Sequence, residues 1–348
     1  MVEKRSITFI INPISGTHSK EEMPRLINET LDSERYAYDI RLTEHAGHAS
    51  EIARECVAEQ RDIVVAVGGD GTVNEVARSL THSQTALGII PCGSGNGLAR
   101  HLCLPMEAKK AISIINQGNV ELFDYGVING IPFFCTCGMG FDAFISLKFA
   151  EAGKRGPITY VENVLKEGLK YRPETYEVID DAGTTRYKAF LIACANASQY
   201  GNNAYIAPGA TMKDGEMDVI IMEPFDALEA PQIAADLFMK TLGNNSKIKT
   251  FRSKELHIRR KEAGAIHYDG DPIMTDKEID VHIEHLGLRI VTNPEAIEDA
   301  AQPNFLLNAF SDLFNNINNV REDLQEDLEK QGRRIQAINR VLLKKLRS

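Results

Sequence analysis

The sequence predicts an α/β N-terminal domain on a parallel sheet, an antiparallel second domain and a C-terminal helical extension. Three observations carry this. Up to about residue 125, short apolar runs alternate with segments of helical spacing, the order of βαβ units. After it, apolar and polar residues alternate around Asn-Gly and Asp-Ala-Gly turns, the pattern of antiparallel hairpins. From Gln302, apolar residues recur on steps of three and four, the spacing of one long helix.

The elements follow in order. "SITFIINP" (6–13) is an apolar run stopped by Asn and Pro, a buried strand entering a turn. "EEMPRLINETLD" has helical spacing, "YAYDIRLT" alternates as a second strand, and "HASEIARECVAEQ" returns to helix with His48 or Ser50 near its start. "DIVVAVGGDGT" is a third strand, "VNEVARSL" a helix, and "TALGIIPCGSGN" a fourth strand running into a loop. In such a sheet, ligands bind beyond the C-terminal strand ends. In the second part, "FDYGVINGIPFFCTCGMG", "TYEVIDDAGTTRYKAFLIACANA" and "DGEMDVIIMEP" read as strands, with helical interruptions around 154–170 and 226–243, and "EIDVHIEHLGLRIVTNP" supplies the last strands. In the extension, Leu307, Phe310, Phe314, Ile317, Leu324, Leu328, Ile335, Ile338 and Leu342 form a heptad-like seam that ends in the basic "LLKKLRS". That seam suits packing on its own protein, pairing with a second copy as a homodimer, or lying on a membrane surface, the last opposed by Glu322, Asp323, Glu326 and Asp327.

Composition narrows the function classes. A chain of 348 residues, 43% hydrophobic and 25% charged, is an ordinary globular composition with room for two domains. A net charge of −10 argues against a nucleic-acid binder, whose affinity comes from clustered Lys and Arg on phosphates. No run approaches the roughly 18 apolar residues of a membrane span, and no basic-then-apolar leader opens the chain, so the expected compartment is the cytoplasm. The six cysteines (56, 92, 103, 135, 137 and 194) lack CxxC or His-Cys ligand spacing and read as reduced residues.

Three glycine-containing loops each follow a predicted strand: "NPISG" (12–16), "GGDGT" (68–72) and "PCGSGNG" (91–97). Glycine lets the main chain approach an anion and aim N–H groups at it, and three such loops on one sheet edge favour a polyphosphate site over three plain turns. None is a Walker A loop or a GxGxxG dinucleotide fingerprint. Asp70, between glycines, suits either a metal-bound phosphate or a substrate hydroxyl, or the cap of the following helix. In "HYDGDP" (267–272), Asp269 and Asp271 share a side if the segment is extended, whereas Asp-Gly alone signals a hairpin turn. "MKDGEMD" (212–218) offers Asp214, Glu216 and Asp218 to a divalent cation or to a turn.

In this order and spacing, "NPISG", "GGDGTVNEV" and "PCGSGNGLAR", followed by "PGATMKDGEMDVIIM" and "YDGDP", resemble the diacylglycerol kinase catalytic-domain family, which includes bacterial soluble diacylglycerol kinases and sphingosine kinases. The match spans about residues 5–295. The resemblance implies a nucleotide domain like that of NAD kinases and phosphofructokinases over 1–125, a β-sandwich substrate domain over 126–286, a return segment over 287–299 and the extension over 300–348. It implies transfer of the γ-phosphoryl of ATP to a lipid hydroxyl with Mg²⁺, at a cleft between the domains. Nucleotide contacts then fall on Asn12, Pro13, Ile14, Ser15, Gly16, Thr43, Gly68, Gly69, Asp70, Gly71, Thr72, Asn74, Glu75, Gly93, Ser94 and Asn96, and a Mg²⁺ site on Asp214 with backbone groups near Thr211 and Glu216. The resemblance makes Asp271 the general base, with Asp70 the other acid that could take the proton and Asp269 a further catalytic candidate, and Asp142 in "GFDAF" either a contact to the lipid head group or a buried, hydrogen-bonded turn carboxylate.

Two departures stand out. The family's Asp-Gly-Glu reads Asp269-Gly270-Asp271 here, one methylene shorter, and "GSGNG" stands where many relatives have GTxND. The lipid would be met at the inner face of a membrane by peripheral docking through Lys154, Arg155, the inserted helices or the extension. The rival readings are a kinase of NAD or another small molecule that uses the same GGDGT loop, and an inactive relative that only binds lipid or nucleotide.

Overall fold

The computed structural model describes residues 4–14, 22–152, 168, 171–226, 228–294 and 296. Ser15, Gly16, Lys154, Arg155, the helix expected over 154–170 (apart from residue 168) and the extension over 300–348 lie outside the described residues.

The first part alternates strand and helix as its sequence predicts: β1 (Arg5–Ile11), α1 (Met23–Thr30), β2 (Tyr36–Leu42), α2 (His48–Ala58), β3 (Ile63–Gly68), α3 (Asp70–Leu80) and β4 (Ala86–Pro91). These strands pair in parallel in the order β2-β1-β3-β4. Strands β3 and β4 are buried along their whole length, which is why they read as unbroken apolar runs rather than alternating ones: helices cover both faces. After β4 come two helices that the apolar pattern alone does not announce, the five-residue α4 (Gly97–His101) and α5 (Ala108–Gln117). Helix α5 buries Ala111, Ile112 and Ile115 and stops at Gly118, whose φ of 72° suits a C-terminal glycine.

The second part is a sandwich of two antiparallel layers. One layer contains β5 (Val120–Ile128), β6 (Ile131–Phe133), β8 (Glu174–Asp180), β9 (Gly183–Ala189), β13 (Glu255–Arg260) and β16 (Glu278–Val291). The other runs in the order β12 (Ile248–Ser253), β11 (Met217–Met222), β10 (Leu191–Ala195), β7 (Thr136–Gly140), β14 (Gly264–Tyr268) and β15 (Asp271–Thr275). Their facing sides enclose Phe133, Met139, Tyr176, Ile192, Val219, Ile258 and Ile279. The outer side of the second layer is also buried: Leu191, Ala193, Ile220 and Met222 pack under α6 (Phe141–Ala152) and α7 (Ala230–Met239). Helix α6 lies between the strand segment expected to end at Gly140 and the helix expected from residue 154. Its register begins at Gly140, whose φ of 94° ends β7 and turns the chain.

The two parts share strands rather than meeting at a linker. The expected boundary at 125 falls inside β5, and that at 286 falls inside β16. The first half of β16 pairs with β13 in the sandwich, while Ile290 near its end pairs in parallel with Leu87 of β4, and β5 follows it antiparallel throughout. The β5–β16 register shifts between Glu284 and Leu288, where Leu286 has a φ of 50°. Asp124, fully buried on β5, takes up this irregularity: its carboxylate accepts the Leu286 N–H at 2.7 Å and the Gly215 N–H at 2.7 Å, with His285 Nδ1 2.8 Å away. A bulge that would leave an N–H without its ladder partner is thereby satisfied.

Candidate active site

The glycine loops interlock at the C-terminal ends of β3 and β4. A Cβ on Gly93 would lie 2.6 Å from the Gly69 Cα, and one on Gly95 would lie 2.7 Å from Asp70 Oδ2, so neither position admits a side chain. Asn96 has a φ of 52° and closes its loop on itself: Oδ1 accepts the Gly93 N–H at 2.9 Å and Nδ2 donates to the Gly93 carbonyl at 2.8 Å. Asp70 is the first residue of α3, and its carboxylate reaches across to the other loop. Oδ2 accepts the Asn96 N–H at 2.8 Å and Oδ1 the Gly97 N–H at 2.6 Å. It caps α4, not its own helix α3, which has no side-chain cap. In the first turn of α3 the Val73 N–H donates to the Gly69 carbonyl at 3.0 Å, whereas the N–H groups of residues 70–72 precede any partner carbonyl of the helix, and Gly71 is exposed with open space around it.

The neighbouring contacts are structural as well. Asn12 Nδ2 donates to Thr72 Oγ1 at 3.2 Å, and Asn12 Oδ1 accepts the Ile14 N–H at 3.2 Å, tying the loop after β1 to α3. The Thr43 N–H donates to the Ile11 carbonyl at 2.9 Å. Glu75 Oε1 accepts the N–H of Gly47 at 3.0 Å, the residue that begins α2. Neither His48 nor Ser50 caps that helix; Gly47, with φ of 85°, stands there. Thr72 packs on Gly68, where a Cβ would lie 2.5 Å from it. Pro13, Ile14 and Ser94 are exposed.

The hairpin of the second part closes the other side. Asp269 (φ 47°) and Gly270 (φ 88°) are the two central residues of a tight turn between β14 and β15, both left-handed as a type I′ turn requires. The segment is therefore not extended, and Asp269 and Asp271 do not share a side. Asp271 opens β15 and is exposed. Asp269 turns inward, where Oδ1 accepts the N–H groups of Cys135 (2.7 Å) and Thr136 (3.1 Å), and Oδ2 accepts the Phe134 N–H (2.8 Å) and Asn74 Nδ2 (2.8 Å). Burial raises its carboxyl above the ordinary value, opposed by those four donors. Asn74 lies on α3 and is 195 positions from Asp269 in sequence, so this contact joins the two parts. Asp70, Asn74, Phe134, Cys135 and Asp269 line one small cavity at the junction. Burial, with Asp269 and Asp70 nearby, lifts the Cys135 thiol well above its usual value, so it stays protonated there.

The residues expected to hold Mg²⁺ do not fit it as they are arranged. Arg252 donates to Asp214 Oδ2 and lies 3.4 Å from Glu216 Oε2, so a guanidinium meets the one side chain that the sequence assigns to the cation. Asp214 Oδ1 accepts the Glu216 N–H at 3.1 Å. Burial and the nearby Glu216 raise the carboxyl of Asp218, which pairs with Arg252 in the β11–β12 ladder. Nothing in the local sequence marks Arg252, because its acids come from another strand and turn. Magnesium added to the nucleotide-free chain is expected to leave its melting temperature unchanged. In Arg252→Ala the same titration should raise it, since the freed acids bind the cation and ligand binding to the native state stabilises it. A melting series in magnesium and in potassium checks both.

Asp142, the second residue of α6, is half-buried beside the hairpin. Oδ1 accepts the Ala143 N–H at 2.8 Å, and Oδ2 lies 3.0 Å from His267 Nε2 and accepts the Tyr200 hydroxyl at 3.3 Å. His267 stands within "HYDGDP", but only the position of α6 over β14 shows that its ring meets an acid 125 residues away.

Comparison with known proteins agrees with the two-part architecture. The model of the diacylglycerol kinase catalytic domain matches residues 6–128, and that of the YegS C-terminal NAD kinase beta sandwich-like domain matches residues 136–287. An uncharacterized protein of Synechocystis sp. is 30% identical over 253 residues, 68% of this chain, and the chain spans 58% of that protein's length. A diacylglycerol kinase of Bacillus subtilis is 25% identical over 269 residues, covering 76% of this chain and 88% of that one. The crystal structure of a putative diacylglycerol kinase from Bacillus anthracis superposes with a TM-score of 0.69 at 19% identity, covering 85% of this chain and all of that one, which is a likeness of fold. Consecutive matches to both domain models, on a chain whose Asp70 and Asp269 line one cavity, place it in the diacylglycerol kinase catalytic-domain family, with an α/β domain of that family followed by its C-terminal β-sandwich.

Proposed function

We propose that this chain is an ATP-dependent lipid kinase that transfers the γ-phosphoryl group to a hydroxyl of diacylglycerol or a sphingoid-type lipid. The observation that carries the reading is the convergence of Asp70 and Asp269, from the two ends of the chain, on one cavity beside the N-terminus of α3. There, first-turn N–H groups and glycine main chain suit the phosphates of a nucleotide bound as its magnesium complex, and catalysis comes from alignment and charge neutralisation. Asp70 and Asp269 spend their carboxylates on N–H donors, so both act by holding loops. Asp271, exposed at the start of β15 on the same Asp-Gly-Asp turn, is assigned as the group that takes the proton while the lipid oxygen bonds to the γ-phosphorus and ADP departs.

No helix of the described residues is long and apolar enough to cross a membrane. The lipid is met peripherally, at the inner face of the membrane in a cytoplasmic enzyme. Leu228 and Met239, 84% and 63% exposed at either end of α7, support such a contact.

The test is ATP-dependent phosphate transfer to diacylglycerol, a sphingoid base and NAD, measured side by side in mixed micelles. Transfer to a lipid and none to NAD is the expected result; transfer to NAD alone, or to nothing, ends the proposal. With the lipid found, Asp271→Asn should lower kcat by about 10²–10⁴. If it turns over at the parental rate, Asp271 is not the base.

A further inference from the structure

Asp142 is the natural place to seek a receptor for a lipid head group, yet its carboxylate is already committed inside the protein. His267 is 2% exposed and its Nε2 lies 3.0 Å from Asp142 Oδ2. On the other side of the ring, Nδ1 accepts the Gly270 N–H at 3.4 Å. An acceptor at Nδ1 puts the proton on Nε2, which then donates to Asp142, so the neutral ring satisfies both contacts. The space for this pair exists because residue 138 is glycine: a Cβ there would lie 2.3 Å from Asp142 Oδ2 and 2.9 Å from His267 Nε2.

The pair is joined to the first domain as well. Tyr200 donates its hydroxyl to the same Asp142 oxygen. Beside it, Gly201 packs on the glycine loop, where a Cβ would lie 3.0 Å from Gly95, and the Asn202 N–H donates to the Gly95 carbonyl at 2.9 Å. A continuous chain of contacts therefore runs from Gly95, whose loop is held by Asp70, through Tyr200 and Asp142 to His267 and the Gly270 turn.

We propose that His267 is a positioning residue: bridged to Asp142 and Tyr200, it holds the Asp269-Gly270-Asp271 turn in register with the glycine loops. Asp142 then acts through His267 and does not receive the lipid head group. The inference rests on the lipid-kinase reading for its catalytic consequence, but not for its structural one.

The experiment uses the full chain and the variants His267→Ala, His267→Gln and His267→Asn. Glutamine restores a donor near the Nε2 position and asparagine an acceptor near Nδ1, so each keeps one of the two contacts. Two quantities are read: amide hydrogen exchange of residues 269–271, and kcat and KM for ATP and lipid per folded enzyme. In His267→Ala, exchange at the turn should quicken by about tenfold or more while β10 and β11 keep their protection. Its kcat should fall by about tenfold or more with the ATP KM within about twofold, and glutamine or asparagine should recover part of both losses. Parental exchange at the turn, or parental kcat despite faster exchange, overturns the proposal. If His267→Ala does not fold, the other two decide: either must show faster exchange at the turn and a lower kcat, and parental values in both overturn it. Should the parental chain phosphorylate no lipid, the kinase reading falls, and exchange alone then decides whether His267 holds the turn.

Discussion

Replacing Asp70 with asparagine is expected to reduce kcat/KM for ATP by about a hundredfold or more, a loss comparable to removing one preorganised donor or acceptor from a catalytic site. The carboxylate accepts two main-chain N–H groups, from Asn96 and Gly97, and neither can rotate away. Asparagine offers one acceptor oxygen, and its amide would point N–H at the other N–H, leaving a buried donor unsatisfied. Lengthening the side chain gives no relief, because Gly95 already lies against Oδ2. The loop that should grip the nucleotide would lose its anchor to α3. Steady-state kinetics, together with equilibrium binding of a nonhydrolysable nucleotide, check this. Kinetics and binding both within threefold of the parental values would mean that the two loops do not need this tie.

Asp269→Asn is expected to cost about 1–3 kcal/mol of stability and most of the activity. Of the four donors on Asp269, the Asn74 amide can turn over to meet the new side chain, but the main-chain N–H of Phe134 cannot. At about 2–4 °C per kcal/mol for a domain of this size, thermal unfolding resolves the change. Its pH dependence is also determined. Asp269 has a folded-state carboxyl raised by burial, so the native state binds this proton more readily than the unfolded chain. The parental protein should therefore gain stability relative to the variant as pH falls through that raised value, and stop gaining near the ordinary carboxylate value of about 3.9. A gap that narrows on acidification would contradict the burial of this carboxylate.

Much of the architecture was legible in the residues because it rests on local rules. The unbroken apolar runs of β3 and β4, the helical spacing before and after them, and the glycines at their ends all lie within one βαβ unit. Asp269-Gly270 announced its hairpin because only a few residue types tolerate two successive left-handed conformations. Helix α6 was not legible: its residues are apolar without a one-sided helical period, and its face is set by packing on the second layer of the sandwich.

The roles of the acids were open in the sequence for a physical reason. A carboxylate's function is set by the donors it meets, and here they are far away along the chain: Asn96 and Gly97 for Asp70, Phe134 to Thr136 for Asp269, Arg252 for Asp214, His267 for Asp142. By itself the sequence determined an α/β domain with three glycine loops on one sheet edge, an antiparallel domain after it, and an acidic hairpin near its end. Only the tertiary structure decided that two strands are shared between the domains and that Arg252 sits where a cation was expected. It alone turned two of the acids into loop anchors, because hydrogen bonds join whatever the fold brings within 3 Å, regardless of separation in sequence.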